Sequence, residues 1–161
     1  RTSLEEKAAQ PEANVVLAVT DQDHIVGFGV LSCPRPEDRW YALDPPIMME
    51  IKALEVARSW RSLGLADKIV RLLLAHPRAE DLVVYMVGYS WTWDLDGAGI
   101  SAQQYRQMMI KLFEPYGFQE YETNEPNICL KTENIFMGRI GRNVSVDLRN
   151  KFKWLRFGIE L

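Results

Sequence analysis

The sequence predicts a mixed α/β or α+β fold, in which helices cover a central β-sheet. Two observations carry this prediction. Strand-like and helix-like patterns alternate along the chain without repeats or low-complexity tracts, and a strand, a turn and a helix follow one another in the middle of it. A length of 161 residues with 47% hydrophobic residues suits one domain, residues 1–161, with a sizeable core.

The first half of the chain is predicted to hold a short helix, a hairpin, a third strand and a longer helix. Ser3 and Glu6 fit a capping box at the start of the first helix. A polar turn separates the first two strands, as in a hairpin. The predicted bounds are Ser3 to about Pro11 (helix), Val15–Val19 and Ile25–Leu31 (strands), Asp21–His24 (turn), Arg39–Pro46 (loop), Met48–Val56 (strand) and Ala66 to about His76 (helix).

The second half is predicted to begin with a strand at the centre of the sheet. Leu82–Gly88 is a continuous apolar run of the kind buried on both faces. Ser101 and Gln104 fit a second capping box. The predicted bounds are Leu82–Gly88 (strand), Tyr89–Ile100 (loop), Ser101 to about Tyr116 (helix), Phe118–Thr123 and Asn134–Ile140 (strands) and Ser145 to about Gly158 (helix).

Composition and charge exclude several classes of protein. The formal charge of −3 argues against a broad nucleic-acid surface, and no apolar run reaches membrane-spanning length. Cys33 and Cys129 have no metal-ligand spacing, and His24 and His76 are isolated. We therefore expect a cytoplasmic protein with reduced thiols, no metal, and neither nucleic acid nor membrane as a partner.

The most informative segment is Glu50–Ala66, where a strand ends in a turn with the pattern Arg-x-x-Gly-x-Ala. A glycine turn that opens a helix presents backbone N–H groups and a positive dipole end to an anion. Gly64 lets a phosphate approach the backbone closely. The segment therefore favours a pyrophosphate site, although an ordinary turn with a cap glycine stays open. A dinucleotide site is disfavoured because Gly-x-Gly-x-x-Gly is absent.

Val56, Arg61, Gly64 and Ala66 in this order resemble the coenzyme A loop of the GCN5-related N-acetyltransferases (GNAT). The resemblance implies acetyl-CoA as cosubstrate and the GNAT acyl-CoA N-acyltransferase fold, a mostly antiparallel twisted sheet with helices on both faces. It also implies that the first strand and helix of that fold are missing or atypical, so that the domain is N-terminally incomplete. The coenzyme-binding residues it implies are Leu54, Val56, Arg61, Ser62, Gly64, Leu65 and Ala66.

A narrower resemblance covers most of the chain from Ala18 onward. Segments such as Trp91–Leu95 and Met137–Ser145 are similar to the AcuA proteins of acetoin utilisation, and generic acetyltransferases lack them. This resemblance implies a protein-lysine acetyltransferase that modifies the active-site lysine of acetyl-CoA synthetase and switches that enzyme off. Two alternatives stay open: an acetyltransferase for a small amine, such as a polyamine or an amino acid, and an acetyl-CoA-binding regulatory module with little catalysis.

Lysine acetylation needs a base, because a lysine with a pKa of about 10.4 is protonated near pH 7. Glu50 and Glu55 are the candidates, and a regular strand would point them to opposite faces. The resemblance implies that Glu50, six residues before Val56, is the base. Glu55 would orient a strand or the substrate. The alternative is that both are solvated carboxylates.

The remaining chemistry needs an oxyanion donor, which the resemblance implies to be backbone N–H near Val56, and an acid for the thiolate. Phe113 occupies the position where many family members have a tyrosine acid, and it has no proton to donate. Tyr105, Tyr116 or water would substitute, or the thiolate would leave unprotonated.

Two tryptophans follow the predicted central strand in an unusual loop. Trp91 and Trp93 are candidates for a wall along a substrate lysine stem, and Asp94 and Asp96 for steering a cationic lysine inward. The alternative places the tryptophans in the core beside a polar turn.

Overall fold

The computed structural model describes residues 3–159 and contains a six-stranded sheet with the order β1-β2-β3-β4-β6-β5. Every neighbouring pair is antiparallel except β3 and β4, which are parallel. The sheet is therefore mixed and mostly antiparallel, as predicted. Its strands are β1 (Asn14–Val19), β2 (Ile25–Ser32), β3 (Met48–Val56), β4 (Val83–Gly88), β5 (Gln119–Glu120) and β6 (Ile135–Ile140).

Helices cover both faces of this sheet, again as predicted. They are α1 (Leu4–Ala8), α2 (Leu65–Leu73), α3 (Leu95–Ala98), α4 (Ala102–Phe113), α5 (Pro126–Cys129) and α6 (Val146–Leu155). On one face α2 packs on β1, β2 and β3 and contacts α4. On the other face Phe152 of α6 packs against Phe136 of β6, and Trp40 stacks on the same phenylalanine. Among the helices of residues 3–159, none is long and apolar enough to cross a membrane.

Gly29 of β2 determines how closely α2 packs on the sheet. A Cβ at this position would lie 2.5 Å from Cγ2 of Ile69 and 2.8 Å from Cδ1 of Leu73. The glycine therefore allows the helix to approach β2 closely, and Ile69, Val70 and Leu73 of α2 are buried. This packing holds the loop that precedes α2 in place against the end of β3.

The parallel pair β3–β4 is hydrogen-bonded over a short stretch only. The paired residues are Met48–Glu50 and Val83–Tyr85. Beyond them β3 continues to Val56 and β4 to Gly88 without pairing to each other. The two strands thus diverge and form a cleft, which we call the β3–β4 cleft.

A β-bulge interrupts β3 within the same region. Val30 of β2 pairs with Ala53, whereas the next residue, Leu31, pairs with Ile51. Lys52 is therefore the extra residue of the bulge, and the alternation of side chains along β3 shifts by one residue at this point.

The predicted bounds hold for the first four strands within two residues, but several other predictions were wrong in detail. The strand predicted at Phe118–Thr123 is only Gln119–Glu120, because Thr123 and Asn124 instead bond to the end of α6. Helix α2 ends at Leu73 and α6 at Leu155, earlier than predicted. The predicted loop 89–100 contains α3, and α5 was not predicted.

Candidate active site

The loop between β3 and α2 has the backbone geometry of an anion-binding turn. Gly64 is the N-cap of α2 and adopts the left-handed conformation with φ 76°, and Ser62 has φ 63°. Among residues 3–159, no heavy atom outside Gly64 and its two chain neighbours lies within 4 Å of the position that a Cβ of Gly64 would occupy. The space above this glycine is therefore open, and the N–H groups of Leu65 and Ala66 precede the first intrahelical bond of α2, which Lys68 N–H donates to the Gly64 carbonyl.

An ion-pair network ties this loop to the segment after β4. Arg58 bonds Asp94 through Nε at 2.9 Å and Nη2 at 2.6 Å, and Arg61 Nη1 bonds the same carboxylate at 2.9 Å. The backbone N–H of Gly97 donates to it as well, at 3.1 Å. The two guanidinium groups and this N–H hold the pKa of Asp94 well below its usual range. The Asp94 carboxylate, predicted to steer a lysine, is thus engaged by the arginines of the loop.

The backbone of β3 presents polar groups to the β3–β4 cleft. The N–H of Ala57 donates to the carbonyl of Val26 in β2 at 2.8 Å. Because backbone groups of a strand point alternately to its two sides, those of Val56 and Leu54 point away from β2, into the cleft. The carbonyl of Val56 accepts a hydrogen bond from Arg61 Nε at 3.0 Å. The backbone groups that face the cleft are therefore the N–H and carbonyl of Leu54 and the N–H of Val56.

Glu50 lies at the base of the cleft, on the last pair of the β3–β4 ladder. It borders a cavity of about 240 Å³, which we call the Glu50 cavity. Burial raises the pKa of Glu50, and the ammonium of Lys52 opposes that shift. The Tyr85 hydroxyl donates to the carboxylate at 3.4 Å. The lining residues are Arg35, Asp38, Trp40, Glu50, Lys52, Tyr85, Val87 and Tyr89.

The prediction that Glu50 and Glu55 point to opposite faces was wrong. Glu50 pairs with Ser32 and Glu55 with Phe28, and these two β2 residues, four apart, lie on one face of the sheet. The bulge at Lys52 adds the residue that brings the two carboxylates to the same face. They differ in environment, because Glu50 is half-buried and Glu55 is exposed at the outer end of β3.

The two tryptophans of the predicted substrate wall have different surroundings. Trp91 is 52% exposed and stacks on Tyr89 of the Glu50 cavity, with ring centroids 4.8 Å apart. Trp93 is half-buried against the core and stacks on Tyr105 of α4, also at 4.8 Å. Trp91 is therefore the exposed ring beside the cavity, with Lys131 Nζ 5.9 Å from its ring centroid, whereas Trp93 supports Tyr105.

The three aromatic residues considered for the acid also differ. Phe113 is fully buried and packs edge-to-face on Phe118, so it belongs to the core. Tyr116 donates its hydroxyl to the Asp67 carboxylate of α2 at 2.7 Å. Tyr105 is half-buried, and burial raises its pKa. A tyrosine with a raised pKa keeps its proton near neutral pH, which a proton donor requires.

From the sequence, the Pro34–Trp40 loop counts only as a segment similar to the AcuA proteins, without a role in the site, but it lines the Glu50 cavity. Arg35 and Asp38 lie between β2 and β3, and both the Arg35 backbone N–H and its guanidinium bond the Asp38 carboxylate. The same reasoning passed over Lys52. A strand lysine and a polar loop are ordinary surface features in a sequence, and only the fold brings them beside Glu50.

The fold defines a class: the chain has the fold of the GNAT N-acetyltransferases. A GNAT superfamily phosphinothricin acetyltransferase from Sinorhizobium meliloti, solved in complex with AcCoA, superposes with a TM-score of 0.54 at 15% identity, covering 83% of this chain and 63% of that one. This likeness concerns the fold. No family model matches the sequence.

Individual relatives narrow the class to a family. The acetoin utilization protein AcuA of Bacillus subtilis is 31% identical over 155 residues, which are 96% of this chain and 73% of the relative. AcuA of Bacillus licheniformis is 30% identical, also over 155 residues that are 96% of this chain and 73% of the relative. The crystal structure of an acetoin utilization protein from Exiguobacterium sibiricum matches with a TM-score of 0.88 and 30% identity, covering 94% of this chain and 72% of that one. The chain belongs to the AcuA family, as its sequence indicated.

Proposed function

We propose that this protein transfers the acetyl group of acetyl-CoA to the side chain of a protein lysine, in the cytoplasm, and that acetyl-CoA synthetase is the acceptor. The observation that carries the proposal is the half-buried carboxylate of Glu50 at the base of the β3–β4 cleft, beside an open cavity. Membership of the AcuA family supports the choice of a protein acceptor.

Acetyl-CoA would enter along the divergent ends of β3 and β4. The amide groups of the pantetheine arm would pair with the backbone of Leu54 and Val56, which points into the cleft. The pyrophosphate would then lie on the loop before α2, where the backbone is open above Gly64. The residues proposed to hold it are Arg61, Ser62, Gly64, Leu65 and Ala66.

The acceptor lysine would reach Glu50 from the cavity. Its ammonium gives a proton to the Glu50 carboxylate, whose raised pKa makes it a stronger base than an exposed glutamate. The neutral amine attacks the thioester carbonyl, and the Val56 N–H is the candidate donor to the oxyanion. The C–S bond breaks, the attacking nitrogen releases its second proton to solvent, and the coenzyme A thiolate leaves with the electron pair and takes a proton from Tyr105 or water.

A cavity of about 240 Å³ accommodates one lysine side chain or one small amine, so the choice between them depends on the surface around the cavity. An exposed aromatic side chain lies beside it, because Trp91 is 52% exposed and stacks on the lining residue Tyr89, with Lys131 Nζ over its ring. Such a rim suits a protein surface that inserts one side chain.

The test is acetylation with labelled acetyl-CoA, comparing acetyl-CoA synthetase with a panel of polyamines and amino acids. We expect one dominant labelled lysine in the synthetase, identified by mass spectrometry, and little transfer to the small amines. Faster transfer to a small amine would overturn the protein-lysine assignment. Tight acetyl-CoA binding without transfer to any acceptor would instead identify a regulatory module.

A further inference from the structure

The Glu50 cavity contains an amine that belongs to the protein itself. Lys52 lies two residues after Glu50 on β3, and both side chains line the cavity. Lys52 is the extra residue of the β-bulge, and it is only partly exposed. Its position therefore places a primary amine beside the carboxylate that would deprotonate an external lysine.

We propose that Lys52 is an internal acetyl acceptor, which the protein acetylates when no external substrate occupies the Glu50 cavity. This inference rests on the proposed function, because it uses the same base and the same acetyl-CoA. It adds a covalent modification site in the acceptor cavity.

The step balances without a further reactant. The Lys52 ammonium transfers one proton to the Glu50 carboxylate, and the lone pair of Nζ forms a C–N bond to the thioester carbonyl carbon. The C–S bond breaks, and the coenzyme A thiolate leaves with that electron pair. The second proton of the attacking nitrogen is then released to solvent, and an amide remains on Lys52.

The electrostatics of the cavity favour the neutral amine that this step needs. Burial lowers the pKa of Lys52, and the positive charge of Lys7 acts in the same direction, whereas the Glu50 and Asp38 carboxylates raise it. The pKa of Lys52 is lowered overall. Lys52 therefore reaches the nucleophilic form at a lower pH than an unperturbed lysine.

Acetylation would change the cavity that it occurs in. The acetylated side chain is longer, uncharged and held by the strand beside Glu50, so it occupies space that an external lysine would need. The modified protein should therefore be a poor catalyst for external acceptors.

The experiment incubates the wild-type protein with labelled acetyl-CoA in the absence of any acceptor. We expect one acetyl group per molecule by intact mass, located on Lys52 by peptide mapping. Lys52→Arg, which keeps the charge, should lose this label. Lys68→Arg, which changes an exposed lysine on α2, is the matched control and should keep it. Glu50→Gln should slow the labelling about 10²-fold or more.

Three outcomes would overturn the inference, and they separate it from the proposed function. Label spread over exposed lysines at the same rate in Glu50→Gln would show non-enzymatic acetylation. An unlabelled wild type that still acetylates an external lysine would remove Lys52 as acceptor and leave the proposed function standing. Transfer neither to Lys52 nor to any acceptor would overturn both.

Discussion

Replacing Glu50 by glutamine is the most direct test of the mechanism. The substitution keeps the size of the side chain and its capacity to bond the Tyr85 hydroxyl, but it removes the base. A lysine with a pKa of about 10.4 needs about 4.6 kcal/mol to lose its proton at pH 7. Loss of one general base typically costs about 10²–10⁴ in rate, so we expect kcat for lysine acetylation to fall by that factor.

The pH profile separates a lost base from a damaged site. The neutral fraction of the acceptor lysine rises about tenfold per pH unit below its pKa, so the defect of Glu50→Gln should shrink as the pH rises from about 7 to about 9. The assay is initial-rate acetylation across this range with saturating acetyl-CoA. Acetyl-CoA affinity should barely change, because the coenzyme is proposed to bind the loop before α2.

Glu55→Gln is the matched control, since it removes a carboxylate from the same face of the same strand, at an exposed position. It should act mainly through substrate orientation or folding, without rescue at high pH. If the pH-rescued loss appears in Glu55→Gln and not in Glu50→Gln, the two roles are exchanged. If neither variant is slowed, no carboxylate of β3 is the base.

The same Glu50 variant has a second, independent readout in stability. Burial raises the pKa of Glu50 in the folded protein, so the folded state binds this proton more tightly than the unfolded chain. The stabilisation from protonated Glu50 is fully present below the ordinary glutamate pKa of about 4.3 and is lost as the pH rises through the raised folded pKa. The Tm of Glu50→Gln relative to wild type should therefore increase from about pH 4 to about pH 7, whereas a constant difference would contradict the burial.

Four further substitutions test the coenzyme side of the site and the acid. Gly64→Glu should abolish acetyl-CoA binding in calorimetry, because a side chain and a negative charge would meet the pyrophosphate; unchanged affinity in a folded variant would exclude this loop. Asp94→Asn should raise KM for acetyl-CoA about fivefold with kcat nearly unchanged, since it weakens the ion pairs that hold the loop; a loss confined to kcat would contradict this. Tyr105→Phe should lower kcat about 10²-fold, whereas Tyr116→Phe, whose hydroxyl is bonded to Asp67, should not; the reverse result would move the acid to Tyr116.

Local sequence patterns were sufficient to predict the elements that depend on neighbouring residues alone. The capping boxes predicted at Ser3 and Ser101 form, with both reciprocal bonds present. The apolar run of β4 is buried in the sheet as predicted. These elements are decided by interactions within a few residues, or by hydrophobicity alone.

Features that depend on a partner element escaped prediction. The bulge at Lys52 becomes visible only when β3 is paired with β2, because β3 then has one residue more than its partner. A strict alternation of side chains along β3 therefore predicted the wrong face for Glu55. The engagement of Asp94 depends on arginines more than 30 positions earlier in the chain. The cavity around Glu50 depends on Trp40 and Tyr85, which the fold brings together from separate segments.

The short ladder between β3 and β4 has a consequence for the kinetics of amide hydrogen exchange. Beyond the end of this ladder, the amides of Leu54 and Val56 point to a side of β3 where β4 no longer pairs with it. This is unusual because β3 lies between two strands and is not an edge strand of the sheet. In the free protein these two amides should exchange with deuterated water faster than that of Ala57, which is bonded to Val26. If the pantetheine arm binds there, it takes the place of the absent stretch of strand. Acetyl-CoA should then slow exchange at Leu54 and Val56 and leave Ala57 nearly unaffected, so that the coenzyme completes the hydrogen bonding of the sheet.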